Sequence, residues 1–267
     1  MKNRTAIVKW SLCVLLLALL LTPALAGCGR KGNDTGWTYD AAISADGYSV
    51  RNDIRAYKPV SFLSRDDAYA LLKQAQAQYD ALSAVMHVDK ETYNADKLLQ
   101  STSAYSADFS GSSIRVVTHG VASVRMWMSV VNLDASGMPV ANIEVYSPAA
   151  GKAFQKDVKN DTPPVAYDSA SASFIIMGIV ETLTPYRDLA SADYMGELKA
   201  GKLEDGNTLI QFTNTDTGVF VRLILDSNNR YVFDSKFKRN ADGAMIYEDR
   251  DFSVIGSFSV PGWYTGE

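Results

Sequence analysis

His87 and His119 are the only side chains in this 267-residue sequence whose ordinary titration falls near neutral pH. Zinc takes three or four ligands at short spacings, and no such cluster surrounds either histidine. A hydrolytic Ser-His-Asp arrangement needs a base beside its nucleophile. Gly111-Ser112-Ser113 lies near His119, but no Gly-x-Ser-x-Gly elbow occurs. Paired carboxylates could serve glycoside hydrolysis, yet acids such as Glu204-Asp205-Gly206 and Glu248-Asp249-Arg250 fall where turns are expected. Asp134-Ala135-Ser136-Gly137 and Asn240-Ala241-Asp242-Gly243 lack the spacing and terminal Glu of an EF-hand loop. No glycine-rich phosphate loop is present. The two histidines read as surface or cap residues, His87 ending a helix and His119 near a strand end. The expectation is a protein that is not an enzyme and needs no metal or cofactor. The side chain with the most specific chemistry is the thiol of Cys28, in Leu25-Ala26-Gly27-Cys28.

That thiol closes a recognisable order. Lys2, Arg4 and Lys9 precede an apolar run from about Trp10 to Leu21, and small residues lead to the cysteine. These are the basic, apolar and cleavage regions of an export signal. The run is shorter than the roughly 20 residues that span a bilayer. The stretch resembles the lipobox of bacterial lipoproteins. The resemblance implies that Cys28 is lipidated and becomes the first mature residue, with at least two acyl chains. One chain binds a membrane marginally and two anchor it stably. Residues 1–27 then form the signal, 28–58 the lipidated cysteine and a tether, and 59–267 a single α+β binding domain on the extracytoplasmic face of a membrane.

Removing residues 1–27, which hold three bases and no acid, leaves 23 bases against 30 acids. A net charge of −7 disfavours nucleic acid, whose binding depends on cationic contacts to phosphate. It equally disfavours a polybasic hold on anionic lipid. Cys13 leaves with the signal and Cys28 is consumed by lipid, so no disulfide supports the mature chain. A core must do so, and 240 residues suffice for one.

Gly29 to Lys58 is polar and small-residue rich, although Trp37, Tyr39, Tyr48 and Tyr57 argue that part of it packs. Ser64 followed by Asp67 has capping-box spacing. Ala68, Leu71, Leu72, Ala75, Tyr79 and Leu82 then recur at helical period, which predicts a helix over about 65–85. From about Tyr105 the period becomes two. Ile114 to Thr118, Val124 to Val130, Val140 to Tyr146 and Lys152 to Val158 read as strands, with Asp134 to Gly137 as a turn. Thr162-Pro163-Pro164 interrupts the sheet. Ser171 to Leu189 is so apolar that a helix buried on most sides is expected, ended or bent by Pro185. Leu209 to Thr213, Val219 to Leu225, Tyr231 to Lys238 and Ala244 to Ile255 read as an antiparallel meander joined by short Asn/Asp/Gly turns.

The order of lipobox, tether, amphipathic helix, strands, apolar helix and closing meander resembles the LolA-like superfamily. That group includes the periplasmic lipoprotein carrier and the LppX/LprG-type lipid-binding lipoproteins. The likeness is carried by Leu209-Ile210-Gln211-Phe212, Val221-Arg222-Leu223-Ile224-Leu225-Asp226, Asn229 to Lys236, and Arg250-Asp251-Phe252-Ser253 before Pro261. It implies a curved, incompletely closed antiparallel sheet around helices, with an apolar cavity for acyl chains.

Two binding readings follow. In the first, Met126, Met128, Phe174, Ile175, Ile176, Met177 and Ile179 line a pocket for a lipid or lipoprotein acyl chain, the methionines supplying adaptable surface. In the second, the core is solid and the sheet face binds a partner protein or a cell-wall glycan. Arg125 and Trp127 would carry it, with Trp263-Tyr264 as further candidates.

Overall fold

The structure is a computed structural model that describes residues 59–96, 98–120, 122–184, 193–239 and 245–266. The signal, Cys28, the tether, Pro185 to Leu189 and the Asn240 to Gly243 turn lie outside the described residues. Those described fall within one compact unit, Tyr39–Glu267. The fold is α+β.

Ser64 accepts a hydrogen bond from the Asp67 amide at 3.1 Å and returns one from its hydroxyl to the Asp67 carboxylate at 2.6 Å. This starts helix α1, Arg65–Asp80. Ala68, Leu72, Ala75 and Tyr79 form its buried stripe, the i, i+4, i+7, i+11 pattern of an amphipathic helix. The helix stops at Asp80, short of the expected Val85. Val85 instead opens strand β2, Val85–Tyr93, where Met86 and Val88 are buried by alternation. His87 therefore sits within a strand and does not end a helix.

Twelve strands make one sheet. After β1 (Ser61–Leu63) and β2 come β3 (Leu99–Asp108), β4 (Met126–Leu133), β5 (Pro139–Ala149), β6 (Lys152–Asp157) and β7 (Val165–Ala166). The closing strands are β8 (Met195–Lys202), β9 (Thr208–Asn214), β10 (Phe220–Leu225), β11 (Tyr231–Arg239) and β12 (Met245–Ile255). The spatial order is β1-β8-β9-β10-β11-β12-β2-β3-β4-β5-β6-β7, and the ends do not pair. It is thus two meanders, β2–β7 and β8–β12, joined where β12 runs antiparallel to β2 from Tyr247↔Tyr93 to Ile255↔Val85. Tight turns sustain both. Gly137 closes the Asp134 turn with φ 80° and a 2.9 Å bond to the Asp134 carbonyl. Gly201 lets β1 approach β8, because a Cβ there would stand 2.7 Å from the Ser61 carbonyl oxygen.

Two expectations change type. Ile114–Thr118 is a single helical turn, α2, in place of a strand. Ser113 accepts from the Val116 amide, and Ile114 donates its amide to the Leu82 carbonyl at 3.0 Å. Burial of Ile114 and Val117, three apart, favours the helical turn over the β-branched preference for a strand. His119 is the cap of α2, not a strand end. Glu248, Asp249 and Arg250 lie in β12 and not in a turn, with Asp249 and Arg250 buried.

Helix α3, Ser169–Leu183, starts where Asp168 accepts from the Ala170 and Ser171 amides at 3.0 Å each. It links β7 to β8 as α1 links β1 to β2. Ala172, Ile179, Val180 and Leu183 are buried, but Phe174 is 74% and Met177 47% exposed. The helix is buried on one face rather than on most sides. Apolar composition fixes what a helix can bury, while neighbours decide how many faces they cover. The main core joins α1, α3 and residues from β2, β3, β4 and β8–β12. A flat sheet of twelve strands would span roughly 50 Å at about 4.8 Å per strand. One continuous core across so many strands requires the sheet to curve around its helices.

Candidate functional site

The face under α3 brings together most of the apolar residues singled out above. Met126 and Ile179 are buried in the main core. A second, smaller cluster of Val145, Ala153 and Ala172 lies beside it. Met128 and Ile175 are half-buried and touch both clusters, and Ile176 packs on the margin of the larger one. They form a seam between two cores, roofed by α3. Phe174 and Met177 face outward from that roof.

At the C-terminal end of α3 the concave face turns polar. Arg250 is buried and bidentate to Asp234, with Nε 2.8 Å from Oδ1 and Nη2 on Oδ2. Its Nη1 donates to the Thr182 carbonyl at 2.8 Å, in the last turn of α3. The Tyr79 hydroxyl donates to the Leu183 carbonyl. Two otherwise unsatisfied helix-end carbonyls are met in this way. Burial pushes the phenols of Tyr79 and Tyr231 well above their ordinary value. Lys236 lies 4.0 Å from Asp234, and burial brings its ammonium down to about 8, assisted by nearby Arg250. Lys90 pairs with Glu248 at 3.0 Å. The pattern anchors α3 and α1 to the sheet. Among the described residues no group of three or more His, Cys, Asp or Glu side chains is placed to hold a metal.

The opposite face carries the other candidates. Arg125 pairs with Asp108 and lies 5.2 Å over the Phe258 ring. Trp127 is half-buried in β4, directly across from Ser106 on β3 and Tyr146 on β5. Trp263 donates its indole N–H to Glu144 at 2.6 Å. Tyr264 meets Tyr146 edge-on at 4.7 Å and Phe154 at 5.1 Å. Trp127, His87, Ser106, Glu144 and Trp263 line a cleft of about 540 Å3.

The structure aligns at low identity with several solved proteins. LprF from Mycobacterium bovis aligns at 13% identity with a TM-score of 0.45, over 76% of this chain and 98% of that one. A DUF1329 family protein from Desulfovibrio piger aligns at 11% and 0.25, over 70% and 90%. A LolA superfamily protein from Nitrosomonas europaea aligns at 8% and 0.26, over 73% and 95%. No family model and no curated protein matches the sequence.

Sequence reasoning missed His87 and Ser106 as cleft residues. A signal was present: Met86, Val88 and Lys90 alternate with His87, Asp89 and Glu91, the period of a strand. The Arg250–Asp234 pair had no such local signal, since 16 residues and a hairpin separate its members.

Proposed function

We propose that the chain is a lipid-anchored extracytoplasmic protein that binds a hydrophobic ligand, a lipid or lipoprotein acyl chain, on the concave face beneath α3. The observation that carries this is the seam at Met128 and Ile175, where two apolar clusters meet under a helix whose outer side still presents Phe174 and Met177. An acyl chain entering the seam gains on the order of 0.8 kcal/mol per methylene removed from water. Met128 and Met126 can reshape around it without loss of contact. Exposed Phe174 and Met177 supply the first apolar surface such a chain meets. The anchor is the reading of Leu25 to Cys28. No helix among the described residues is long and apolar enough to cross a membrane.

The test is native mass spectrometry of residues 29–267 produced in a bacterial host, followed by solvent extraction. A stoichiometric co-purifying lipid supports the proposal. A bare mass that stays bare after incubation with fluorescent acyl probes overturns it.

A further inference from the structure

The last segment of the chain builds something the core does not need. Residues 256–266 follow β12 without forming a strand. Phe258 and Tyr264 both return to the same ring, Tyr146, at 6.3 and 4.7 Å. Between them Ser259 to Trp263 arch over the face of the sheet away from the helices, and the Tyr264 amide closes a turn on the Pro261 carbonyl at 3.1 Å. A compact surface loop with adjoining ends, held by its own side chains, is a recurrent carrier of function. Trp263 forms one wall of the cleft, and its bond to Glu144 fixes the ring.

The floor is a row across four strands. His87, Ser106, Trp127 and Tyr146 are successive register partners on β2, β3, β4 and β5. The loop covers Tyr146, leaving His87, Ser106 and Trp127 beneath the cleft. His87 Nδ1 and Ser106 Oγ stand 2.7 Å apart, and His87 Nε2 is 3.2 Å from Asp89. Ser, His and Asp meet here on the opposite ring nitrogens from a hydrolytic triad, Ser106 on Nδ1 and Asp89 on Nε2, and acyl transfer also needs donors aimed at an oxyanion. The backbone amides around Ser106 lie in a strand paired on both sides, so the row offers binding groups without that second half of the machinery.

We propose that this cleft binds an uncharged sugar ring of a glycan. A pyranose has an apolar face of C–H groups and an edge of hydroxyls that both donate and accept. Trp127 and Trp263 offer indole surface for the first, and polarised ring stacking adds to simple burial. The Ser106 hydroxyl, oriented by its 2.7 Å contact with His87 Nδ1, and the Glu144 carboxylate in the wall can accept from the second. Asp89, Glu91 and Asp251 outnumber Lys90 in the lining of the neighbouring cleft of about 320 Å3, and with Glu144 in the wall they disfavour anionic ligands. The volume of about 540 Å3 lies within the range of small-ligand sites. The site is on the face opposite the acyl-chain seam and stands independently of that reading.

The test is isothermal titration of the full chain, held in a polyoxyethylene detergent free of sugar, with chitotriose and cellotriose. Saturable binding of at least one is expected. Trp127→Ala should weaken it at least tenfold and Trp127→Phe less, while Ser106→Ala should weaken it several-fold with the melting temperature kept. Phe174→Asp, on the opposite face, should leave it unchanged. Absence of binding to both sugars overturns the proposal. So does binding that survives Trp127→Ala and Ser106→Ala, or binding of choline in place of either sugar.

Discussion

The indole N–H of Trp263 donates to the Glu144 carboxylate at 2.6 Å, tying the C-terminal loop to the middle of β5 across 119 residues of sequence. Glu144 and Trp263 thereby set the width of the outer cleft, and the pair can be broken without touching the core. Glu144→Ala should leave secondary structure intact and cost about 1 kcal/mol in urea unfolding, the net value of one part-exposed hydrogen bond. A red shift of tryptophan emission, as the loop loosens and Trp263 gains water, is the accompanying readout. No emission change would mean that the loop is held by Tyr264 and Phe258 alone.

Arg250 and Asp234 are both buried and bidentate, and Arg250 also reaches the end of α3. Removing one partner strands the other charge. Asp234→Leu and Arg250→Met should each destabilise by about 3–5 kcal/mol, and the double variant by less than either single change. Chemical denaturation of the three variants checks this. Additive losses would show that the two side chains act independently.

The same concave face makes a specific prediction for alkaline pH. Lys236, held by burial down to about 8, is neutral in the folded chain above that pH while the unfolded chain stays protonated to about 10.5. The unfolded state then binds more protons, so stability rises with pH between about 8 and 10. Tyr79 and Tyr231 act in the opposite sense. Their phenols stay protonated in the fold above the ordinary value of 10.0 and ionise on unfolding, so stability falls beyond it. Melting temperature against pH should therefore peak near pH 10, and Lys236→Met should abolish the rise on the acid side of the peak. A flat profile from 7 to 10 in the natural chain contradicts this account.

Phe174 and Ile179 lie on the same helix with opposite exposures, 74% and 1%. Phe174→Asp should change stability by no more than about 0.5 kcal/mol, as for other surface changes, yet reduce uptake of a fluorescent fatty acid severalfold. Ile179→Ala should cost about 2–5 kcal/mol through its cavity. Uptake that is unaffected by Phe174→Asp and by Ile176→Asp would remove α3 from the ligand path.

Cys28 is read as the lipid anchor. Cys28→Ser should move the protein from the membrane fraction to the soluble or unprocessed pool, and should prevent incorporation of labelled palmitate. Membrane retention with no label in the natural chain would identify another form of attachment.

Local features were legible without coordinates. The capped start of α1 at Ser64, the turn at Asp134 to Gly137 and the strands from Leu209 onward depend on residues close in sequence, through capping, left-handed backbone and alternation. The open antiparallel sheet around helices was implied by the resemblance to the LolA-like superfamily. The stop of α1 before Val85 and the helical turn at Ile114 were not, because each depends on a partner element that overrides propensity. Three features belonged wholly to the tertiary structure. The join of β12 to β2 unites two meanders through pairing between residues more than 150 apart. The exposure of Phe174 and Met177 follows from α3 having the sheet on one side only. The row His87–Ser106–Trp127–Tyr146 exists because four strands share one register, and a slip of one residue in any of them would turn its member to the other face. Sequence determines which side chains a strand can present, and pairing decides which of them meet.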